Sequence, residues 1–233
     1  RMQSFGPQAM MLIAGGGKDL PPPDMTVTTL TLEDAEAIRD NIEGVEMVSP
    51  MAWRFRMNTT RDENQHQAVV WGVEPSWHDA WNWRVVAGDG MEDEDVATMA
   101  RVCVSGETLR RELFGQSDAI GKRLYVNKVA LTVKGVLKPR GTSPMGSDFD
   151  SRVLIPITTA MRRVMNVDYV GAIRIITEDA SLLSRQAHQI RDLIHQRHHI
   201  TPPAEDDFRI ITAEIIAELA RGTSRTLSML LIA

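Results

Sequence analysis

Two groups of residues in this chain have types and spacings that could bind a metal ion. His195 with His198 or His199 has the helical spacing that presents two imidazoles to one zinc ion. Asp148 and Asp150 form a D-x-D pair in a stretch rich in glycine, proline and serine. We favour structural roles, because cationic side chains at the end of a helix complement its dipole and no third acid or histidine lies near the aspartate pair in sequence. A metal-dependent hydrolase that uses both groups is the enzymatic alternative.

Other candidate motifs are incomplete. The triple glycine 15–17 is followed by Lys18 and then by three prolines, without the Lys-Ser or Lys-Thr and the helix of a phosphate-binding loop. The acidic stretch 89–95 lacks the alternating ligands and the closing glutamate of an EF-hand. Cys103 lies in an apolar strand pattern, which is typical of a buried hydrophobic residue. We therefore expect neither a nucleotide site nor a calcium loop in this chain.

The five tryptophans fall between residues 53 and 83. Trp77 and Trp81 have helical spacing, so they are expected to pack a small helix onto a hairpin core. The alternative is an exposed aromatic patch, since indole rings stack well on flat or cationic ligands. This alternative would make the chain a binding module.

The composition is that of a globular protein, with 43% hydrophobic residues and a formal net charge of −5. This mild acidity argues against a nucleic-acid partner, which requires a basic surface. A single cysteine excludes an internal disulfide framework.

Periodicity and local signals predict an α+β fold. Thr31 is a candidate N-cap with Asp34 three residues later, and a helix is expected to follow up to Gly44. Asn127-Lys128 is the predicted turn between strands 122–126 and 129–137, and the loop 139–151 separates this hairpin from the next strand. Further strands are predicted at 45–49, 52–57 (with Pro50 marking an edge or a bulge between them), 68–73, 102–104, 172–176 and 208–212. Further helices are predicted at 107–114, 158–165 and 180–197.

Six segments in the correct order resemble the periplasmic core domain of MacB/FtsX-type ABC transporter permeases. The longest is ELFGQSDAIGKRLYVNKVALTVKGVLKPRG, followed by SRVLIPITTAMRRV. The others are TLTLEDAEAIRDNIEGVEMVSP, VVWGVEPSW, HQIRDLIHQRHHI and DDFRI. Together they cover roughly residues 26 to 212, which is nearly the whole chain.

The resemblance implies two lobes. A split βαβ porter-like subdomain would comprise 26–74 and 166–212, and an inserted, mainly β, Sabre-like subdomain would comprise 75–165. Residues 1–25 would connect to a preceding transmembrane helix, and 213–233 would form a stalk helix that enters the next one. The apolar run that follows Arg225 fits the start of such a segment. The domain would lie in the periplasm, as part of an inner-membrane protein.

The resemblance also implies a non-catalytic role in mechanotransmission, which couples ATP-driven transmembrane movement to the periplasmic side. The expected partners are an ABC ATP-binding subunit or domain, a second permease copy and, in MacB-like systems, a periplasmic adaptor with an outer-membrane channel. ATP and magnesium would bind the ATP-binding partner, and no cofactor is expected in this chain. The candidate partner-contact residues are Trp77, Trp81, Pro144, Met145, Asp148 and Asp150.

Overall fold

A computed structural model describes residues 6–16, 27–142, 146–201, 203–213 and 215. The strands are β1 (Ala9–Ala14), β2 (Val45–Arg61), β3 (Asn64–Val73), β4 (Val85–Gly88), β5 (Val102–Ser105), β6 (Arg123–Val126), β7 (Val129–Leu137), β8 (Arg152–Pro156), β9 (Ala172–Thr177) and β10 (Phe208–Thr212). The helices are α1 (Leu32–Asn41), α2 (Ser76–Ala80), α3 (Asp93–Ala97), α4 (Glu107–Phe114), α5 (Ile157–Thr159) and α6 (Leu183–Arg197). A π-helical segment, Ala160–Met165, continues α5, and a 3₁₀ turn, Ala180–Leu182, precedes α6. The α+β class is confirmed.

All ten strands belong to one sheet, in the order β10-β1-β9-β2-β3-β8-β5-β7-β4, with β6 pairing with β2 and β7. The strand β1 lies between β9 and β10, and Met10 and Leu12 are fully buried. The assignment of residues 1–25 to a connector is therefore wrong for Ala9–Ala14. This apolar hexapeptide is an inner strand because it gains two antiparallel neighbours from the distant end of the chain.

The segment after α1 is one long strand, and Pro50 does not interrupt it. Pro50 pairs with Ile173 of β9, while the pairing with β3 begins only at Met51. One side of Pro50 therefore needs no ladder hydrogen bond, which suits a residue without an N–H group. The irregularity predicted at Pro50 lies instead between Arg54 and Met57, where the register with β3 shifts.

Local signals placed several elements correctly. Thr31 caps α1 in a capping box, because its hydroxyl accepts from the Asp34 N–H while the Asp34 carboxylate accepts from the Thr31 N–H. In the turn of the β6–β7 hairpin, Asn127 and Lys128 have φ values of 44° and 74°. These values fit the twisted two-residue turn that joins antiparallel strands.

Two apolar clusters lie on opposite faces of the sheet, because successive residues of a strand point to opposite faces. At Gly72 of β3 a Cβ atom would meet the Cβ of Ala160 at 2.6 Å, on the side of the larger cluster. Trp71 and Val73, its chain neighbours, join the smaller cluster around Trp77. The parallel pair β3–β8 joins strands of both predicted subdomains, and the division of the chain at residue 75 stays a prediction.

Candidate functional site

The five tryptophans form one connected aromatic cluster. Ring centroids are 5.4 Å apart for Trp53 and Trp71, 6.5 Å for Trp71 and Trp77, 6.2 Å for Trp77 and Trp81, and 5.7 Å for Trp77 and Trp83. Trp77 is 1% exposed and Trp83 is 2% exposed. The packing expected for a small helix on the sheet is therefore confirmed, with α2 carrying the central ring.

Arginines cover this aromatic cluster. The guanidinium carbon of Arg140 lies 3.9 Å from the ring centre of Trp83, and that of Arg152 lies 4.6 Å from the same ring. Arg174 lies 4.4 Å from the ring centre of Trp81. Burial, with help from the nearby charge of Arg140, lowers the pKa of Arg152 to about 10 despite the opposing attraction of Asp150 and Asp148. These cations remain charged at neutral pH, so the cluster combines flat apolar rings with fixed positive charge.

Some polar groups inside the cluster have hydrogen-bond partners, and others are buried without one among the described residues. The indole N–H of Trp83 donates to the Lys138 carbonyl at 2.7 Å. The indole N–H groups of Trp71, Trp77 and Trp81 are buried and have no acceptor among the described residues. His78 lies 3.1 Å from the Trp83 carbonyl through Nδ1 and accepts from the Met91 N–H through Nε2. Burial lowers the pKa of His78, which matches this neutral tautomer.

The aspartate pair organises the loop between β7 and β8. The Asp150 carboxylate is buried and accepts from the N–H groups of Arg140 at 2.9 Å and Gly141 at 2.7 Å. Asp148 accepts from the N–H of Asp150 at 2.8 Å. Both carboxylates thus serve the loop backbone, as carboxylates in tight turns commonly do.

The six predicted partner-contact residues separate into three groups. Trp77 and Asp150 are buried, so the prediction that they contact a partner directly is wrong for both residues. Trp81 and Asp148 are half-buried at the edge of the cluster and stay predictions. Pro144 and Met145 lie outside the described residues.

Two histidines near the end of α6, His195 and His198, contact carboxylates. Nε2 of His195 lies 2.6 Å from Asp206, whereas His198 lies between Asp34 and Asp207. A zinc site would need the imidazoles of His195 and His198 to face one ion, whereas the structure directs them to different carboxylates. Within the described ranges, no group of three His, Cys, Asp or Glu side chains is placed to share a metal ion.

Two structural features were not anticipated from the sequence. Ser151 Oγ lies 2.7 Å from Nε2 of His66, a serine–histidine pair from residues 85 positions apart. His66 has no carboxylate partner among the described residues, so the triad geometry that activates a serine is incomplete there. The second feature is the bulge of β2, where Arg56 has a φ of 53° and Phe55 is 41% exposed. Local sequence offers no signal for either feature.

An open cleft of about 590 Å³ lies between α1, the start of β2, α2 and α3. Arg39 and Glu74 form an ion pair of 3.0 Å along its wall. Burial raises the pKa of Glu74, and the attraction of Arg39 only partly opposes this shift. The side chains of Glu46, Asp79 and Asp93 give the cleft an acidic lining.

The architecture is that of extracytoplasmic domains of ABC-type transporters. The fold superposes on the periplasmic region of MacB from Actinobacillus actinomycetemcomitans with a TM-score of 0.78, covering 94% of this chain and 97% of that chain at 17% identity. It also superposes on the extracellular domain of the transporter YknZ from Gram-positive bacteria with a TM-score of 0.72, covering 88% of this chain and 100% of that chain at 17% identity. Similarity at this level of identity establishes the fold.

The chain belongs to the family of MacB-like periplasmic core domains, whose family model matches residues 2–193. It is 30% identical over 232 residues to the macrolide export ATP-binding/permease protein MacB of Rhodospirillum rubrum, covering 99% of this chain and 34% of that protein. It is 29% identical over 232 residues to the pyoverdine export ATP-binding/permease protein PvdT of Pseudomonas syringae, covering 99% of this chain and 34% of that protein. The chain thus spans about a third of the length of these curated relatives. In the part of the chain that the structure describes, no helix is both long and apolar enough to cross a membrane.

Proposed function

We propose that this chain is the extracytoplasmic lever of an ABC exporter, which transmits ATP-driven movement of transmembrane segments to the periplasmic side. Its membership of the MacB-like family supports the periplasmic setting. The names of its relatives, which are ATP-binding/permease proteins, support an ATPase as the source of the movement.

The pairing of β1 with β10 is the observation that carries this proposal. Met10 at the start of β1 lies opposite Thr212 at the end of β10, so both outer stretches of the chain meet the sheet at the same place. We call this end, where β1 begins and β10 ends, the base of the sheet. A domain attached to two membrane segments at one base is suited to move as a body when those segments move.

The sheet gives this body its reach and its stiffness. The 17 residues of β2 begin near the base, where Val45 lies opposite Thr177, and would extend roughly 50 Å at strand geometry. Along its length β2 pairs with β9, β3 and β6. Displacement at the base would therefore reach the β2–β3 tip through hydrogen-bonded strands and packed side chains rather than through a hinge.

The alternatives have weaker support. A ligand-binding module built on the tryptophans would need accessible rings, whereas Trp77 and Trp83 are buried. A metal-dependent hydrolase would need the two aspartates and the histidines in one site, whereas Asp150 binds its own loop and His195 binds Asp206. We expect the chain to be non-catalytic.

The proposed partners are those that membership of the MacB-like family implies. An ATP-binding domain or subunit would hold ATP and magnesium, and a second permease copy would complete a symmetric dimer. A periplasmic adaptor and an outer-membrane channel are expected where the parent protein resembles MacB. The half-buried Trp81 and Asp148 remain our proposed partner-contact residues.

The test follows the movement of the domain in the full-length transporter. Cys103 is fully buried, and burial raises the pKa of its thiol, so a new cysteine at exposed Glu63 near the β2–β3 tip can be spin-labelled selectively in this chain. We expect the distance distribution between the labels of two copies to change when ATP is added.

A flexible insertion tests whether the movement reaches the domain through the predicted stalk. A short Gly-Ser segment inserted after Ala220, in the predicted stalk, should abolish the ATP-dependent change in label distance while ATP hydrolysis continues. The same segment inserted after Gln116, in the exposed turn that follows α4, is the matched control and should leave the change intact. An ATP-dependent change that survives the stalk insertion, or that never occurs, would overturn the proposal.

A further inference from the structure

His198, at the C-terminal end of α6, lies between two carboxylates that come from different parts of the chain. Its Nδ1 is 2.9 Å from an oxygen of Asp207, and its Nε2 is 3.1 Å from an oxygen of Asp34. The side chain of His198 is 12% exposed and that of Asp34 is 2% exposed.

Both contacts are hydrogen bonds only when the imidazole is protonated. A neutral imidazole carries one N–H, so its other nitrogen would direct a lone pair at a carboxylate, which can only accept. The imidazolium carries two N–H groups and can donate to both acids at once. The protonation of His198 therefore decides whether both contacts exist or only one.

Further charges surround this pair of contacts. Asp34 also accepts from Nε of Arg197 at 2.6 Å and from the Thr31 N–H at 2.9 Å, so its charge stays balanced when His198 is neutral. Next to it, His195 lies 2.6 Å from Asp206, and Arg191 is 3.4 Å from the same residue.

The contacts of His198 join segments at the end of the sheet opposite the base. The carbonyl of Asp207 accepts from the Gly15 N–H at 2.8 Å and from the Thr29 hydroxyl at 2.7 Å. Asp34 stands in the first turn of α1, and Asp207 immediately precedes β10. His198 thus joins α6 both to the start of α1 and to the approach of the edge strand β10.

We propose that His198, Asp34 and Asp207 form a proton-controlled latch that holds the start of β10 against α1 and α6 when His198 is charged. Deprotonation of His198 removes one of the two contacts and loosens the approach to β10. The central strands are unaffected, because their pairing does not involve these residues.

The direction of the pH dependence follows from the two acids. Burial lowers the pKa of His198, but the hydrogen bonds to Asp207 and Asp34 outweigh it and raise the pKa above its ordinary value of 6.5. A raised histidine pKa contributes stability that is fully present below the unfolded value and is lost as pH rises through the folded value. Burial raises the pKa of Asp34, but hydrogen bonds from Arg197, His198 and Thr31 outweigh it and lower the pKa below 3.8. The Asp34 contribution is therefore lost only in stronger acid, so the latch is closed in mildly acidic solution and opens on the alkaline side.

The latch can be tested on this chain by NMR titration of its histidines. We expect His198 to titrate above the ordinary histidine value of 6.5 and His78 to titrate below it. Asp207→Asn should lower the pKa of His198, because it removes the negative charge of the carboxylate that faces Nδ1. A His198 that titrates at or below 6.5 in the unsubstituted chain would overturn the proposal.

Hydrogen exchange tests the mechanical consequence. Protection factors of the β10 amides should fall relative to those of β9 as pH rises through the pKa of His198, by about tenfold for each unit of the pKa elevation when exchange follows this opening. In His198→Asn the fall should be absent, whereas the matched control His188→Asn should retain it. The same pH dependence in His198→Asn as in the unsubstituted chain would contradict the latch.

The strand β10 leads into residues 213–233, so the latch would make the hold on the predicted stalk depend on proton concentration. This last consequence rests on the proposed function. The titration and exchange experiments need neither a membrane nor ATP, so failure of the lever would leave them unchanged.

Discussion

Trp77 is the centre of the aromatic cluster, since its ring contacts those of Trp71, Trp81, Trp83 and His78. A ring of this size, 1% exposed, contributes mainly by removing apolar area from water and by filling space on the sheet. The unpaired indole N–H of Trp77 is a cost that this packing outweighs.

We expect Trp77→Ala to lower the free energy of unfolding by about 3–5 kcal/mol, because the lost contacts leave a cavity under α2. Phe55→Ala is the matched control, since Phe55 is 41% exposed, and its effect should stay within about 0.5 kcal/mol. Chemical denaturation of both variants measures the difference. A small decrease in the free energy of unfolding for Trp77→Ala would favour the alternative that the tryptophans form a contact patch.

At the scale of elements, the β6–β7 hairpin shows how a local conformation sets a register. Its turn residues Asn127 and Lys128 both have positive φ, and the strands pair from Val126 with Val129 outward to Arg123 with Thr132. Asparagine tolerates this conformation because its short polar side chain can form local hydrogen bonds, whereas lysine lacks this compensation and is strained.

Lys128→Gly should therefore raise the free energy of unfolding by about 0.5–1 kcal/mol, because glycine adopts positive φ without steric cost. Arg123→Gly, in the neighbouring strand β6, is the control and should lower it by a similar amount. Thermal unfolding of the two variants would show opposite shifts in Tm. A loss of stability in Lys128→Gly would show that the lysine side chain contributes more than its backbone strain costs.

At the scale of the whole molecule, the single sheet governs how the predicted subdomains behave together. Strands β2 and β3 belong to the predicted porter-like part and β8 belongs to the insertion, yet β3 and β8 pair over five residues. The larger apolar cluster likewise contains Val70, Leu109 and Ile173, from both parts.

We expect the chain to unfold in one cooperative transition. Tryptophan fluorescence reports on the cluster around Trp77, and far-ultraviolet circular dichroism reports on all helices and strands. The two signals should have the same denaturant midpoint, because loss of either part would break the shared sheet. An earlier fluorescence transition would show that the tryptophan cluster unfolds independently of the rest of the sheet.

Features that depend on near neighbours in sequence were predictable. The capping box of Thr31 and Asp34, the turn at Asn127-Lys128 and the helix over 107–114 are each specified within a few residues, and the structure confirms all three. The family resemblance was readable for the same reason, since it consists of short segments in a fixed order. The family model and the solved structures bear it out.

Features that depend on pairing between distant segments were decided by the tertiary structure alone. The sequence shows an apolar run at residues 9–14, but its place between β9 and β10 requires partners more than 150 residues away. From the sequence, the histidines at the end of α6 could be interpreted as a zinc pair or as helix-end cations. Only the fold brings Asp34 to His198 as its second carboxylate. Periodicity reports which residues are buried, because burial repeats with the local geometry of the chain. Periodicity does not show which residues distant in sequence come into contact, and the candidate site and the latch are built from such contacts.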